Sequence, residues 1–254
     1  MLQWRRETDG EGRCNRAVIV SVGRFHPGVD LCRRPGAEKD AKRLHRTLSK
    51  LGFRVDVHSD LSGEDIYQLF DRGDTHTPDG EPVWLSRVFS CFNNQLMEKK
   101  AKLFLIQACR GHELDDGVEV DSVSDAHSNN FSTQLHVPVD TTVMYATTAG
   151  HGAFMHPLGS VFLQTFCSLL ESEGNRELEL LRLLTRLSHR VAYTFQAKGH
   201  ILGGKKAMPC LVTRMTRDIF PFADPQKKDG KGAGLMATSL VDSDKGRKRS
   251  PSIS

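Results

Sequence analysis

Lys102-Leu-Phe-Leu-Ile-Gln-Ala-Cys109-Arg-Gly111 is the stretch on which the reading of this chain turns. Its run of apolar residues is unbroken from Leu103 to Ile106, the pattern of a strand buried on both faces in a parallel sheet. Cys109 follows at the C-terminal end of that strand. Open α/β sheets place ligands and reactive groups at this end. The Arg-Gly pair behind it forms a turn that would present the thiol. A thiol becomes a good nucleophile only when ionised, usually beside a histidine. A single cysteine is more often a buried structural residue, and spacing alone leaves both readings open.

Working outward, Arg16-Ala-Val-Ile-Val-Ser-Val-Gly23 has the same buried-strand character. A loop follows from Phe25 to Gly36, with Pro27, Gly28 and Pro35. Ala41, Leu44, Leu48 and Leu51 recur at helical spacing and predict a helix over 38–51, capped by Gly52. Phe53 to His58 alternates like a strand. Ser62 opens a second helix as its N-cap. Asp71 to Gly80 is a polar turn region, and Val83 to Asn93 reads as helical. Residues 111–137 are polar and loop-like. Thr141 to Ala146 is a third buried strand, Ser160 to Leu170 and Leu178 to Phe195 are amphipathic helices, and Cys210 to Met215 is a last strand. Strands alternating with helices predict an α/β domain around a mainly parallel sheet flanked by helices.

The 254 residues suffice for one sizeable core. Apolar residues make up 38% and charged residues 26%, ordinary globular usage. No apolar run approaches the roughly 18 residues of a membrane span, and residues 1–9 lack a signal-type apolar stretch. These features predict a soluble intracellular protein, cytoplasmic with nuclear access through its basic tail. The six cysteines are scattered with no Cys-x-x-Cys pair, so reduced thiols are expected and neither metal nor cofactor is indicated. The net charge of +4 sits in residues 226–254, where Lys227, Lys228, Lys231, Lys245, Arg247, Lys248 and Arg249 outnumber Asp229, Asp242 and Asp244. The body is neutral, which argues against a nucleic-acid or membrane partner. The tail from residue 223 reads as disordered, and residues 1–15 as a short polar lead.

Gln107-Ala-Cys109-Arg-Gly111 matches the caspase nucleophile signature. Its continuation from Gly111 through His112-Glu-Leu-Asp-Asp-Gly-Val-Glu-Val-Asp121 to Ser122 is similar to the segment after the nucleophile in effector caspases. Arg34-x-Gly36-x-x-x-Asp40, Asp79-Gly80-x-Pro82-Val83 and Lys205-Lys206-x-Met-Pro209-Cys210 resemble further elements of the family. The resemblance runs from about residue 14 to Phe222.

It implies a three-layer caspase-like sandwich over residues 16–222, with a large-subunit part (16–121), a linker (about 115–137) and a small-subunit part (138–222). It implies cysteine-dependent cleavage of protein substrates after aspartate, with Cys109 attacking the scissile carbonyl. Arg34 and Gln107 match the residues that hold the P1 aspartate, and a guanidinium suits a carboxylate. Phe154 would supply an aromatic wall. Asp121 before Ser122 reads as a linker cleavage site, with Asp125 a second candidate and Asp9 before Gly10 a site of propeptide removal. Family members dimerise through the last strand, here Cys210–Met215, as homodimers or heterodimers.

Three departures qualify those expectations. The family's Ser-His-Gly motif, which supplies the general base and half of the oxyanion hole after an internal strand, has no counterpart. Only Asp71 to Pro78 lies between Phe70 and Asp79, a gap roughly twenty residues shorter than the family pattern. One internal strand is therefore expected to be missing, and the chain to be inactive or impaired. His58 and His76 are the substitute bases to consider, each more often a solvated histidine. Second, the family's Ser-Trp-Arg element reads Ala153-Phe154-Met155, and Met155 lacks the arginine's charge. Third, Lys245-Gly-Arg-Lys-Arg249 is an import-type or merely solubilising run. A non-catalytic homologue that pairs with active caspases, or an isoform lacking a segment, are the alternatives.

Overall fold

The computed structural model describes residues 2–3, 15–25, 32–70, 83–110, 137–198, 200 and 203–224. One compact unit spans Met1–Ala223. In chain order the elements are β1 (Leu2–Gln3), β2 (Arg16–Ser21), α1 (Pro35–Lys50), β3 (Arg54–Ser59), α2 (Gly63–Phe70), α3 (Leu85–Ser90), β4 (Lys102–Ile106), β5 (Thr141–Tyr145), β6 (Met155–His156), β7 (Gly159–Ser160), α4 (Val161–Glu171), α5 (Glu173–Arg176), α6 (Leu180–Thr194) and β8 (Cys210–Thr213).

The main sheet has the order β3-β2-β1-β4-β5-β8, and β6 and β7 form a separate hairpin. The longest pairings are parallel, β2 with β3 from Arg16↔Arg54 to Ser21↔Ser59, and β4 with β5 from Lys102↔Thr141 to Ile106↔Tyr145. The antiparallel pairings are those of β1 and of β8 against β5. The apolar runs make this sheet because both its faces are covered. Ala17, Ile19, Leu103 and Met144 pack toward α1, α4 and α6 with Leu48, Phe166, Leu169 and Leu187. Phe104, Val143 and Tyr145 pack the other way against Tyr67, Phe89 and Phe92 of α2, α3 and the turn after it. Phe104 meets Phe89 and Phe92 edge-on, at centroid distances of 4.7 and 5.3 Å.

Local chemistry sets the helix starts. α1 begins at Pro35, three residues before the periodicity predicts it, because proline at the first turn gives up a donor the helix does not use. At α2 the expected cap is present as a reciprocal pair. Asp65 N–H donates to Ser62 Oγ at 3.1 Å and Ser62 N–H donates to Asp65 Oδ2 at 3.1 Å. Ser160 caps α4, its Oγ accepting from Leu163 N–H at 3.2 Å. α3 stops at Ser90, where the reading from sequence carried a helix to Asn93.

Two differences bear on function. The strand ahead of Cys109 ends at Ile106, so Gln107 to Arg110 form a connection beyond the sheet. Between β2 and β4 in the sheet stands β1, formed by residues that the sequence reading assigned to an unstructured lead. Among the described residues between β3 and β4 there are two helices and turns, with no strand. No helix of the described residues is long and apolar enough to cross a membrane.

Candidate active site

Cys109 is exposed, past the C-terminal end of β4. Its Sγ accepts from Ala153 N–H at 3.3 Å and lies 3.8 Å from Ala153 O, to which it donates. The connection that carries it is fixed from the other side by backbone bonds. Arg110 N–H donates to His151 O at 2.9 Å, and Gly150 N–H donates to Arg110 O at 3.0 Å. The Arg110 guanidinium stacks on the Tyr145 ring, 4.0 Å from its centroid. Cys109 is thus carried by a connection fixed at Arg110, with its thiol against the backbone of Ala153.

Gln107 and Phe154 are brought together. Gln107 Nε2 donates to Phe154 O at 3.4 Å, and Gln107 Oε1 is buried with no hydrogen-bond partner among the described residues. Buried polar groups are normally paired, so this acceptor is a place where a ligand or water donor would bind. The Phe154 ring packs on Phe195 at 4.9 Å, forming a two-ring aromatic wall.

Arg34 is held at the loop after β2, and no contact among the described residues joins it to Gln107, Cys109 or Phe154. Its N–H donates to Gly23 O at 2.8 Å, and its guanidinium lies over Phe25, 5.0 Å from the ring centroid. The side chain lines a cavity of about 470 Å³ with Gly23, Arg24, Arg33, Lys42 and Asp60, which Gln107, Cys109 and Phe154 do not line. Gly36, two residues on, is packed against Met155 and His156 of β6. Met155, where the family pattern has arginine, is therefore seated at the start of α1.

Asp60 holds the loop that leads to Arg34. Its Oδ1 accepts from Gly23 N–H at 2.8 Å and Arg24 N–H at 2.9 Å, and its Oδ2 from Arg24 Nε at 2.8 Å. These bonds, the one from Gly23 N–H foremost, pull its pKa from 3.8 to about 2. A depressed acid adds stability that is complete above the unfolded-state value and is lost as pH falls through the folded-state value. The stability advantage of the parent over Asp60→Asn is therefore expected to be present at pH 6 and to shrink from about pH 4 down to pH 2, followed by urea melts across that range. Asparagine tolerates the left-handed backbone here (φ 55°), so charge is what the pair compares.

The histidines divide clearly. His58 is on β3 in register with Val20, and β3 lies three places from β4 in the sheet. At about 4.8 Å per strand this is roughly 14 Å sideways, and the structure does not bring His58 to Cys109. His76, Asp9, Asp121 and Asp125 lie outside the described residues. The reading from sequence passed over His151, whose carbonyl anchors Arg110 and whose Nδ1 lies 3.2 Å from Thr148 Oγ1 and 3.1 Å from Ala149 O. Its signal was a histidine in a glycine-flanked loop directly after a central strand. Among the described residues no histidine ring hydrogen-bonds Cys109 Sγ, and no cluster of metal-ligating side chains occurs.

With this geometry in place, the comparisons with known proteins give the family. The caspase-domain model of the cysteine peptidases matches residues 14–73 and again 70–220. The chain belongs to the caspase family. Caspase-3 of Mus musculus is 30% identical over 230 residues, covering 80% of this chain and 82% of the relative. Caspase-3 of Felis catus is 31% identical with the same coverage, and caspase-7 of Gallus gallus 28% over 241 residues. The crystal structure of caspase-1 from Spodoptera frugiperda superposes with a TM-score of 0.65 at 24% identity, covering 82% of this chain and 92% of that one. The fold is that of caspases, and the two matched stretches overlap at residues 70–73.

Proposed function

We propose that this chain carries the substrate-holding half of an aspartate-directed caspase site without the half that ionises the nucleophile, and is inactive or severely impaired as a protease. The observation that carries this reading is the surroundings of Cys109, whose sulfur is hydrogen-bonded only to the backbone of Ala153 among the described residues. The sequence contains no Ser-His-Gly. Removing a member of a catalytic triad costs orders of magnitude in rate, and loss of an oxyanion donor costs about 10²–10³. The Gln107–Phe154 contact, the orphaned Gln107 Oε1 and the Phe154–Phe195 wall support retention of a peptide-holding surface. The substrates or ligands of that surface are proteins with aspartate at P1, in apoptosis-type proteolysis, and the chain works in the cytoplasm with access to the nucleus. Asp121 and Asp9 are the sites at which it would itself be cut.

A second reading has its own support. β8 ends the sheet order, and Cys210–Thr213 bonds on one side only to β5 among the described residues. That open edge suits pairing with a second copy or with an active caspase, so the chain would act as a regulator rather than a protease.

Purified chain and its Cys109→Ala variant are expected to turn over an Asp-type tetrapeptide substrate at the same background rate. Cys109-dependent turnover well above that background would sink the inactive reading and leave the family assignment untouched.

A further inference from the structure

β1 is an unusual strand. It is two residues long, yet it lies in the middle of the sheet, antiparallel to a strand on each side. Leu2 is in register with both Ala17 and Leu103, and Gln3 with both Arg16 and Lys102. β2 and β4 point the same way and are set two strand spacings apart, about 9.6 Å, with β1 between them. Without β1, the backbone N–H and C=O groups that line this channel would face each other across a gap too wide to bridge. Groups so buried are almost always paired. The walls are apolar on both faces, because Ala17, Ile19 and Leu103 belong to one core cluster while Phe104 belongs to the other, with Val20 and Ile106 packed against it. The two walling strands run on beyond these pairs, β2 to Ser21 and β4 to Ile106.

We propose that the channel between β2 and β4 is a strand-accepting site, occupied by residues 2–3 of the same chain as an exchangeable plug. Among the described residues β1 pairs with two positions on each wall, whose strands are six and five residues long, so few ladder bonds hold the plug. Recognition is by backbone, as in strand addition to a sheet. An occupant must be extended and uncharged where it lies between the clusters, and the present one runs antiparallel to both walls.

The pairing is tested first in the full-length chain. Gln3→Cys with Arg16→Cys puts two thiols directly opposite each other, within disulfide reach. Gln3→Cys with Arg54→Cys is the control, since Arg54 is on β3, one strand further away. Under mild oxidation the first pair is expected to form an intrachain disulfide, seen by mass mapping, in most molecules, and the control in few. Equal yields would overturn the proposal. Interchain dimers from the first pair would overturn it in favour of a second copy supplying the strand. Exchange is tested with a chain lacking residues 1–3 and a synthetic peptide of residues 1–6. The truncated chain is expected to melt several degrees below the parent, and the peptide to restore the difference. A peptide with Leu2→Pro, short of one ladder donor, is expected to fail. If truncation abolishes folding, refolding yield with each peptide is compared instead. No difference between the two peptides would refute exchange.

Discussion

Gly36→Val is expected to cost this chain at least about 3 kcal/mol of folding stability, a loss of roughly 6–12 °C in melting temperature for a domain of this size. A Cβ on Gly36 would overlap the carbonyl oxygen of His156 and lie 2.5 Å from Met155 Sδ. Helix propensity argues the other way, since glycine inside a helix is worse than alanine by up to about 1 kcal/mol. Packing wins because the obstructing atom is backbone. To admit even a methyl group, α1 or the β6–β7 hairpin must move as a unit. That hairpin follows Phe154 directly, so the Gln107–Phe154 contact would move with it. Gly36→Ala should fall between the parent and valine. Gly174→Ala is the control, because nothing lies within 4 Å of its Cβ position and it belongs to helix α5. It is expected to be neutral or stabilising by less than about 1 kcal/mol. Urea melts of the three variants decide this, and a Gly36→Ala chain as stable as the parent would refute the close packing of α1 on β6.

What the sequence disclosed and what it hid follow one division. Leu103–Ile106, Thr141–Tyr145 and Ala17–Val20 were legible because strands buried on both faces are rich in apolar and β-branched residues. The helices 161–171 and 180–194 were legible through their periodic faces. Cys109, Gln107 and Phe154 were singled out because they fall in stretches that resemble family motifs. Contacts made through backbone leave no such mark. β1 lies in a segment whose composition reads as a polar lead, and it is held by ladder bonds that any residue but proline can make. His151 enters the site through its carbonyl, and Cys109 is held by the amide and carbonyl of Ala153. His58 shows the converse. Its interval from Cys109 in the chain looks apt, but sheet order sets the distance between them, and β3 and β4 are not neighbours.

Asp40→Ala is the second large effect. The Asp40 carboxylate is buried in the contact of α1 with α4. Its two oxygens accept from Ser160 N–H at 3.0 and 2.9 Å, and Oδ1 accepts from Gln164 Nε2 at 2.7 Å. The approach is close enough to require Gly159, whose φ is 118° and whose Cβ position lies 2.6 Å from Asp40 Oδ1. Alanine would leave the Ser160 N–H buried without an acceptor beside a new void, together about 3–4 kcal/mol. Burial pushes the Asp40 pKa up, and its bonds to Gln164 and Ser160 oppose but do not cancel that push. For a raised acid the folded state holds its proton longer than the unfolded state. Stability therefore falls as pH rises from about 3.8, and levels off once the folded-state carboxyl has ionised. Asp60 has the opposite sign, because its pKa is lowered. Asp40→Asn removes the charge but keeps an acceptor, so its stability relative to the parent should improve as pH rises through that window. Asp40→Ala should stay well below both at every pH. A parent that instead gains on Asp40→Asn with rising pH would mean that hydrogen bonding outweighs burial. The α1–α4 contact would then be held by an ion that the fold favours rather than one it tolerates.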